Sequence, residues 1–118
     1  FNGELLTFAD FNREHARCLA FLKEAVSYSN TGKKIVVTHH VPSFQMQRPK
    51  FADSHANGAF TVELEDYIKN SGIDFWIYGH SHYNVDVMIG NTMCISNQLG
   101  YVFHGEHESF NPCKNIEV

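Results

Sequence analysis

Residues 73–84 read IDFWIYGHSHYN. The apolar and aromatic run from Ile73 to Tyr78 stops at Gly79, and His80 and His82 follow with only Ser81 between them. Residues 33–43, KKIVVTHHVPS, repeat the shape: Ile35-Val36-Val37, then Thr38-His39-His40, then Pro42, which forbids simple continuation of a strand. Short apolar, β-branched and aromatic runs bounded by turn residues are what strands buried on both faces look like. Histidines stand at the ends of both strands.

The flanks supply the rest of the architecture. Thr7 and Asp10 have the spacing of a helix start, and Phe11, His15, Cys18, Leu22 and Val26 recur at helical spacing, which predicts a helix over 10–27. His15 lies on that apolar stripe and reads as a packed side chain. Ser29 to Gly32 is turn chemistry. Phe60, Leu64, Tyr67 and Ile68 predict a second helix over 60–70, closed by Gly72. Each histidine-bearing strand thus follows a helix and a turn, an order that predicts an α/β fold with the two strands parallel and adjacent. After residue 84 the chain becomes β-rich: Val85–Ile89 and Thr92–Ser96 flank Gly90-Asn91 as a hairpin. Ile116–Val118 is a candidate terminal strand. Residues 1–118 read as a single segment, with no internal repeat or domain boundary.

Composition narrows the function classes. The 118 residues carry a formal charge of −4, and the nine Lys and Arg are scattered, which argues against a broad nucleic-acid footprint. No apolar run reaches the ~18 residues of a membrane span. Cys18, Cys94 and Cys113 are widely spaced and form neither a disulfide framework nor a thiolate zinc motif. Of the eight histidines, His104 and His107 lie in the tail and read as surface residues.

In open α/β sheets, ligands bind outside the carboxyl ends of parallel strands, where both histidine groups sit. Gly79 is expected to turn the backbone and splay His80 from His82, so that each could face a different ion. Neutral imidazole suits zinc, iron, manganese and related divalent metals. If His39 points into the site, His40 is expected to point elsewhere, toward a substrate or a carbonyl. The long loop 43–58 carries Arg48, Lys50 and His55, and loops of this length are often functional. No bridging carboxylate is evident: Asp74 starts its strand at the far end from the histidines, and only Asp86, in the hairpin, could be near.

The stretches VVTHHVPS (36–43) and WIYGHSH (76–82) resemble the last two metal-ligand blocks of the calcineurin-like metallophosphoesterase superfamily. Its blocks run D-x-H, G-D-x-x-D, G-N-H-[DE], a strand-end histidine, then G-H-x-H. The likeness extends from Phe8 to Val118 and departs at residues 97–101, where related chains often read N-P-R-G-Y and this one reads NQLGY. No role for that arginine is carried over. The resemblance implies the carboxyl-terminal half of a four-layer αββα sandwich, with the amino-terminal half of the same domain as a required partner. It implies two divalent ions (manganese, iron, zinc or similar), with His39 and His80 on one and His82 on the other. It implies phosphoester hydrolysis by a hydroxide that the two metals activate, with the general acid outside this chain. A phosphorylated small molecule, a nucleotide or a phosphoprotein would be the substrate. His40, His55 and Arg48 are the candidate substrate contacts.

Two other classes compete. An HxH amidohydrolase places its motif after the first strand of a long barrel, which 118 residues cannot build. A metallo-β-lactamase-like enzyme expects HxHxDH, but Tyr83-Asn84 follow His82. A non-catalytic α/β binding module with structural histidines is the third reading.

Overall fold

A computed structural model describes residues 5–28 and 32–118. The turn expected at 29–32 falls mostly outside them. The chain divides into two compact units, 1–32 and 33–118.

The first unit is one helix, α1 (Phe8–Tyr28). Its start is the capping box expected from sequence. The Asp10 N–H donates to Thr7 Oγ1 at 3.2 Å, and the Thr7 N–H returns a bond to the Asp10 carboxylate at 2.9 Å. The Thr7 hydroxyl donates to the same carboxylate and, with its backbone N–H and Arg13, holds the Asp10 carboxyl down at about 2.

The second unit is a four-stranded sheet. Its strands are β1 (Ile35–Val37), β2 (Phe75–Tyr78), β3 (Val87–Ile89) and β4 (Thr92–Ser96), in the order β1-β2-β4-β3. β1, β2 and β4 are parallel, and β3 runs antiparallel to β4. The hairpin turns at Gly90, whose φ of +59° suits the first position of a two-residue turn that takes glycine.

Val36, Trp76 and Cys94 are register partners across the three parallel strands, so their side chains share one face. That face is the core: Trp76 and Cys94 are fully buried, with Tyr78, Ile68, Ile73, Val41 and Met46. Burial pushes the Cys94 thiol up to about 11 and the Tyr78 phenol up to about 12. The next row, Ile35–Phe75–Met93, lies on the opposite face, where Ile35 is 44% exposed. Three buried polar side chains of this face find partners. The Trp76 indole N–H donates to Thr38 Oγ1 at 2.9 Å, the Thr92 hydroxyl to the Ile73 carbonyl at 2.6 Å, and the Tyr78 hydroxyl to the Val85 carbonyl at 2.6 Å. At the amino ends of β1 and β2, Asp74 accepts from the Lys34 backbone at 2.9 Å and from Lys33 Nζ at 3.0 Å, which lowers its carboxyl below the usual range.

Three expectations are corrected. The second helix, α2, spans only Glu65–Asn70. Upstream of it, Thr61 makes a parallel bridge with Val41, and the Val62 N–H donates to the Val41 carbonyl at 2.9 Å, so pairing overrides the helical spacing of Phe60 and Leu64. The segment 43–58, read as one long loop, has structure of its own. It contains 3₁₀ turns at Phe44–Met46 and Pro49–Phe51, and Met46 anchors it in the core. The tail forms 3₁₀ turns at Val102–His104 and Glu106–Ser109, and residues 116–118 are not a strand. The coarse reading, a mixed α/β unit with adjacent parallel histidine-bearing strands, agrees with the structure. Among the described residues no helix is long and apolar enough to cross a membrane.

Two outcomes follow from this packing. Trp76→Phe deletes the bond to Thr38 and leaves a small void, so urea denaturation should show a loss of about 1–3 kcal/mol. Asp74→Asn should lower the melting temperature at pH 7. The Asp74 carboxyl is lowered on folding, so its stabilisation is present above the ordinary value of 3.8 and lost as pH falls through the lowered one. The gap between wild type and Asp74→Asn should therefore narrow on acidification below 3.8, and a gap that does not narrow there would remove this assignment.

Candidate functional site

The ladder between β1 and β2 does not stop where the strands do. The Thr38 N–H donates to the Ile77 carbonyl at 2.9 Å, and the Gly79 N–H donates to the His39 carbonyl at 3.0 Å. These bonds bring the two histidine groups to one edge of the sheet. The rings of His39 and His80 lie 4.7 Å apart between centroids, and His80 Nδ1 faces His39 Nε2 at 2.9 Å. His40 stands with them, 4.6 Å from the His80 ring, rather than pointing away as expected from its neighbour. Thr38 links this cluster to the core, because its hydroxyl also donates to the His40 carbonyl at 3.1 Å.

The splay of His80 and His82 has a different origin from the one expected. Gly79 does not take a positive φ, whereas His80 (φ 70°) and His82 (φ 48°) do. The Ser81 N–H donates to the Gly79 carbonyl at 2.9 Å across His80, which makes His80 the centre of a tight γ-turn. Left-handed backbone at two non-glycine residues costs energy and gathers at functional sites. The turn is held from outside. Gln98 Oε1 accepts from the His82 N–H at 2.8 Å, and the Asn84 amide brackets Gln98, accepting from its N–H at 2.6 Å and donating to its carbonyl at 2.9 Å.

The two histidines end in different surroundings. His80 is half-buried under Phe60, with ring centroids 4.9 Å apart. Burial first, then the neighbouring His40, His39 and His82, lower its pKa against a hydrogen bond with the Ala59 backbone, so the neutral ring is favoured. His82 turns away toward the tail, where its Nδ1 meets Glu106 Oε2 at 2.9 Å and its ring meets Tyr101 edge-on at 4.7 Å.

Two imidazole nitrogens on one tetrahedral zinc, each at about 2.0–2.1 Å, lie roughly 3.3 Å apart. The His39–His80 spacing of 2.9 Å is that of a hydrogen bond between the two rings, with one nitrogen carrying the proton, and the pair would have to lose that proton and open by a few tenths of an ångström to share an ion. The donor set is also short. Among the described residues no three His, Cys, Asp or Glu side chains come together as a group that could hold a metal ion. Asp86 does not help: Lys114 Nζ engages both its oxygens at 2.7 Å.

Beside Phe60 lies a pocket of about 320 Å³, lined by Gln47, Arg48, Phe51, Asn57, Thr61 and Ser81 among others. The Thr61 hydroxyl is buried with no hydrogen-bond partner among the described residues. Arg48 lines this pocket and also reaches Glu106 Oε1 at 3.1 Å. His55 is exposed, and the lining passes from Ser54 to Ala56 without it. Lys50 is exposed beside the Phe51 ring. The sequence carried no signal for Glu106, which stands in no spaced motif with the histidines, while Asn84 and Gln98 lie in the quoted stretches GHSHYN and NQLGY with no role readable from them.

No family model matches the chain, and no solved structure matches it. The chain is similar to a protein of Acanthamoeba polyphaga mimivirus, "Uncharacterized protein L509", with 29% identity over 120 residues. The match covers 96% of this chain and 41% of that relative, so the chain spans less than half the length of the curated protein it resembles.

Proposed function

We propose that this chain contributes the carboxyl-terminal half of a metal-dependent phosphoesterase. The observation that carries the reading is the His39–His80 pair: two ring nitrogens face each other at 2.9 Å across the ends of parallel strands. The separate orientation of His82 adds support, because a second ion would need a ligand that does not belong to the first. His39 and His80 would hold one divalent ion and His82 would contribute to the other. Two such ions would lower the pKa of a water and neutralise charge on a phosphoryl group. The chain's own residues do the rest. The γ-turn at His80 fixes the direction of its ring. Phe60 and the open pocket beside it would receive the organic part of the ester, with His40 and Arg48 at its margins.

The incomplete donor set makes residues 1–118 inactive by themselves in this reading. The missing carboxylates, and a general acid, would come from chain outside this segment. A phosphomonoester, a phosphodiester or a phosphoprotein would suit the same core.

The test is hydrolysis of p-nitrophenyl phosphate with added manganese. A chain extended upstream of Phe1 in its natural sequence should turn over, lose activity to a chelator and recover with metal. Residues 1–118 alone should be feeble; strong metal-dependent turnover by them would sink the half-enzyme reading. In the extended chain His80→Ala and His82→Ala should each reduce turnover by roughly 100-fold or more without loss of folded circular dichroism. Undiminished turnover in both variants would remove the metal assignment.

A further inference from the structure

Glu106 stands 24 residues beyond His82 in the chain, yet its carboxylate is the hub of the His82 surroundings. Oε2 accepts from the Tyr101 N–H at 2.8 Å and lies 2.9 Å from His82 Nδ1. Oε1 accepts from Arg48 at 3.1 Å. The backbone is shaped to let it in. Gly100, at φ +64°, has no side chain, and a Cβ there would lie 2.6 Å from Glu106 Cβ and 3.2 Å from His82 Cβ.

We propose that Glu106 is a positioning residue for His82, holding its ring in the Nδ1–H tautomer and presenting Nε2 as the free donor to a divalent cation. The tautomer follows from the partners. A carboxylate that takes a backbone N–H and a guanidinium N–H is ionised and can only accept, so the proton between it and His82 sits on Nδ1. Nε2 then carries the lone pair, at the far end of the ring. Carboxylate–histidine pairs of this kind fix the ring and raise its basicity as a metal ligand.

A purely structural role, tying the tail to the sheet, is the competing explanation. That tie is made by other residues. Asn97 and Asn111 exchange two bonds, at 2.8 and 3.0 Å, and the Asn84 amide donates to Ser109 at 3.1 Å. The His82 backbone already has Gln98. What Glu106 adds is contact with the ring itself. Arg48 holds the outer oxygen, so the loop that lines the pocket also sets the carboxylate that orients His82.

The metal part of this proposal rests on the phosphoesterase reading; the tautomer does not. Long-range ¹H–¹⁵N correlation on metal-free, ¹⁵N-labelled protein above neutral pH reads the tautomer of each histidine. His82 should be dominantly Nδ1–H, and Glu106→Ala should shift it to the Nε2–H form with the other resonances in place. His82 already Nε2–H in the wild type, or still Nδ1–H in Glu106→Ala, would overturn the proposal. If Glu106→Ala fails to fold, the wild-type spectrum alone decides. Cobalt titration of the extended chain supplies the second readout. Glu106→Ala should weaken the His82 ion by about 10–100-fold and leave the His39–His80 ion unchanged, while equal weakening of both ions would reduce Glu106 to a structural tie and overturn the metal part. A correct tautomer without any cobalt binding would remove the phosphoesterase reading and the metal part while leaving the orientation of His82 standing.

Discussion

The structure depends on two hydrogen bonds that extend a parallel ladder past its strands: Thr38 N–H to the Ile77 carbonyl and Gly79 N–H to the His39 carbonyl. Parallel neighbours point their carboxyl ends the same way, so a residue at the end of β1 meets its counterpart at the end of β2. Register does the rest. With Val37 opposite Ile77, His39 falls beside Gly79, just past the end of β2, and the next residue in the chain is His80. A slip of one residue would separate the two ring nitrogens and send the whole Val36–Trp76–Cys94 row to the opposite face. Burial of Trp76 therefore fixes the histidine geometry as firmly as any contact in the site.

Three carboxylates around the sheet are already engaged by cations or backbone N–H groups. Asp74 clamps the opposite end of β1 and β2. Asp86 is held by Lys114, which also donates to the Ser96 carbonyl at 2.7 Å. Glu106 serves His82, Tyr101 and Arg48 together. A carboxylate already paired with a cation is a poor ligand for a second one, since the new ion must compete with the partner in place.

The strands, the hairpin and the helix cap were legible because each rests on local chemistry: continuous apolar runs, Gly-Asn at a turn, Thr and Asp three apart. The adjacency of β1 and β2 was legible from element order. The segment 60–64 was misread because helical spacing at Phe60 and Leu64 coexists with a bridge to Val41, and pairing with a distant residue leaves no trace in a local window. The turn at His80 was assigned to Gly79 on general grounds, and the left-handed backbone instead falls on the histidines themselves. Glu106 was invisible for the same reason as Val41, since its partners are distant in sequence and polar pairs carry no periodicity.

Gly100 has a consequence for how this protein can vary. Its place is set by two independent demands, a left-handed backbone and the closeness of Glu106 and His82. The nearest atom to a Cβ at position 100 is the Cβ of Glu106, so any residue but glycine at 106 would meet it, and the left-handed φ would strain the backbone besides.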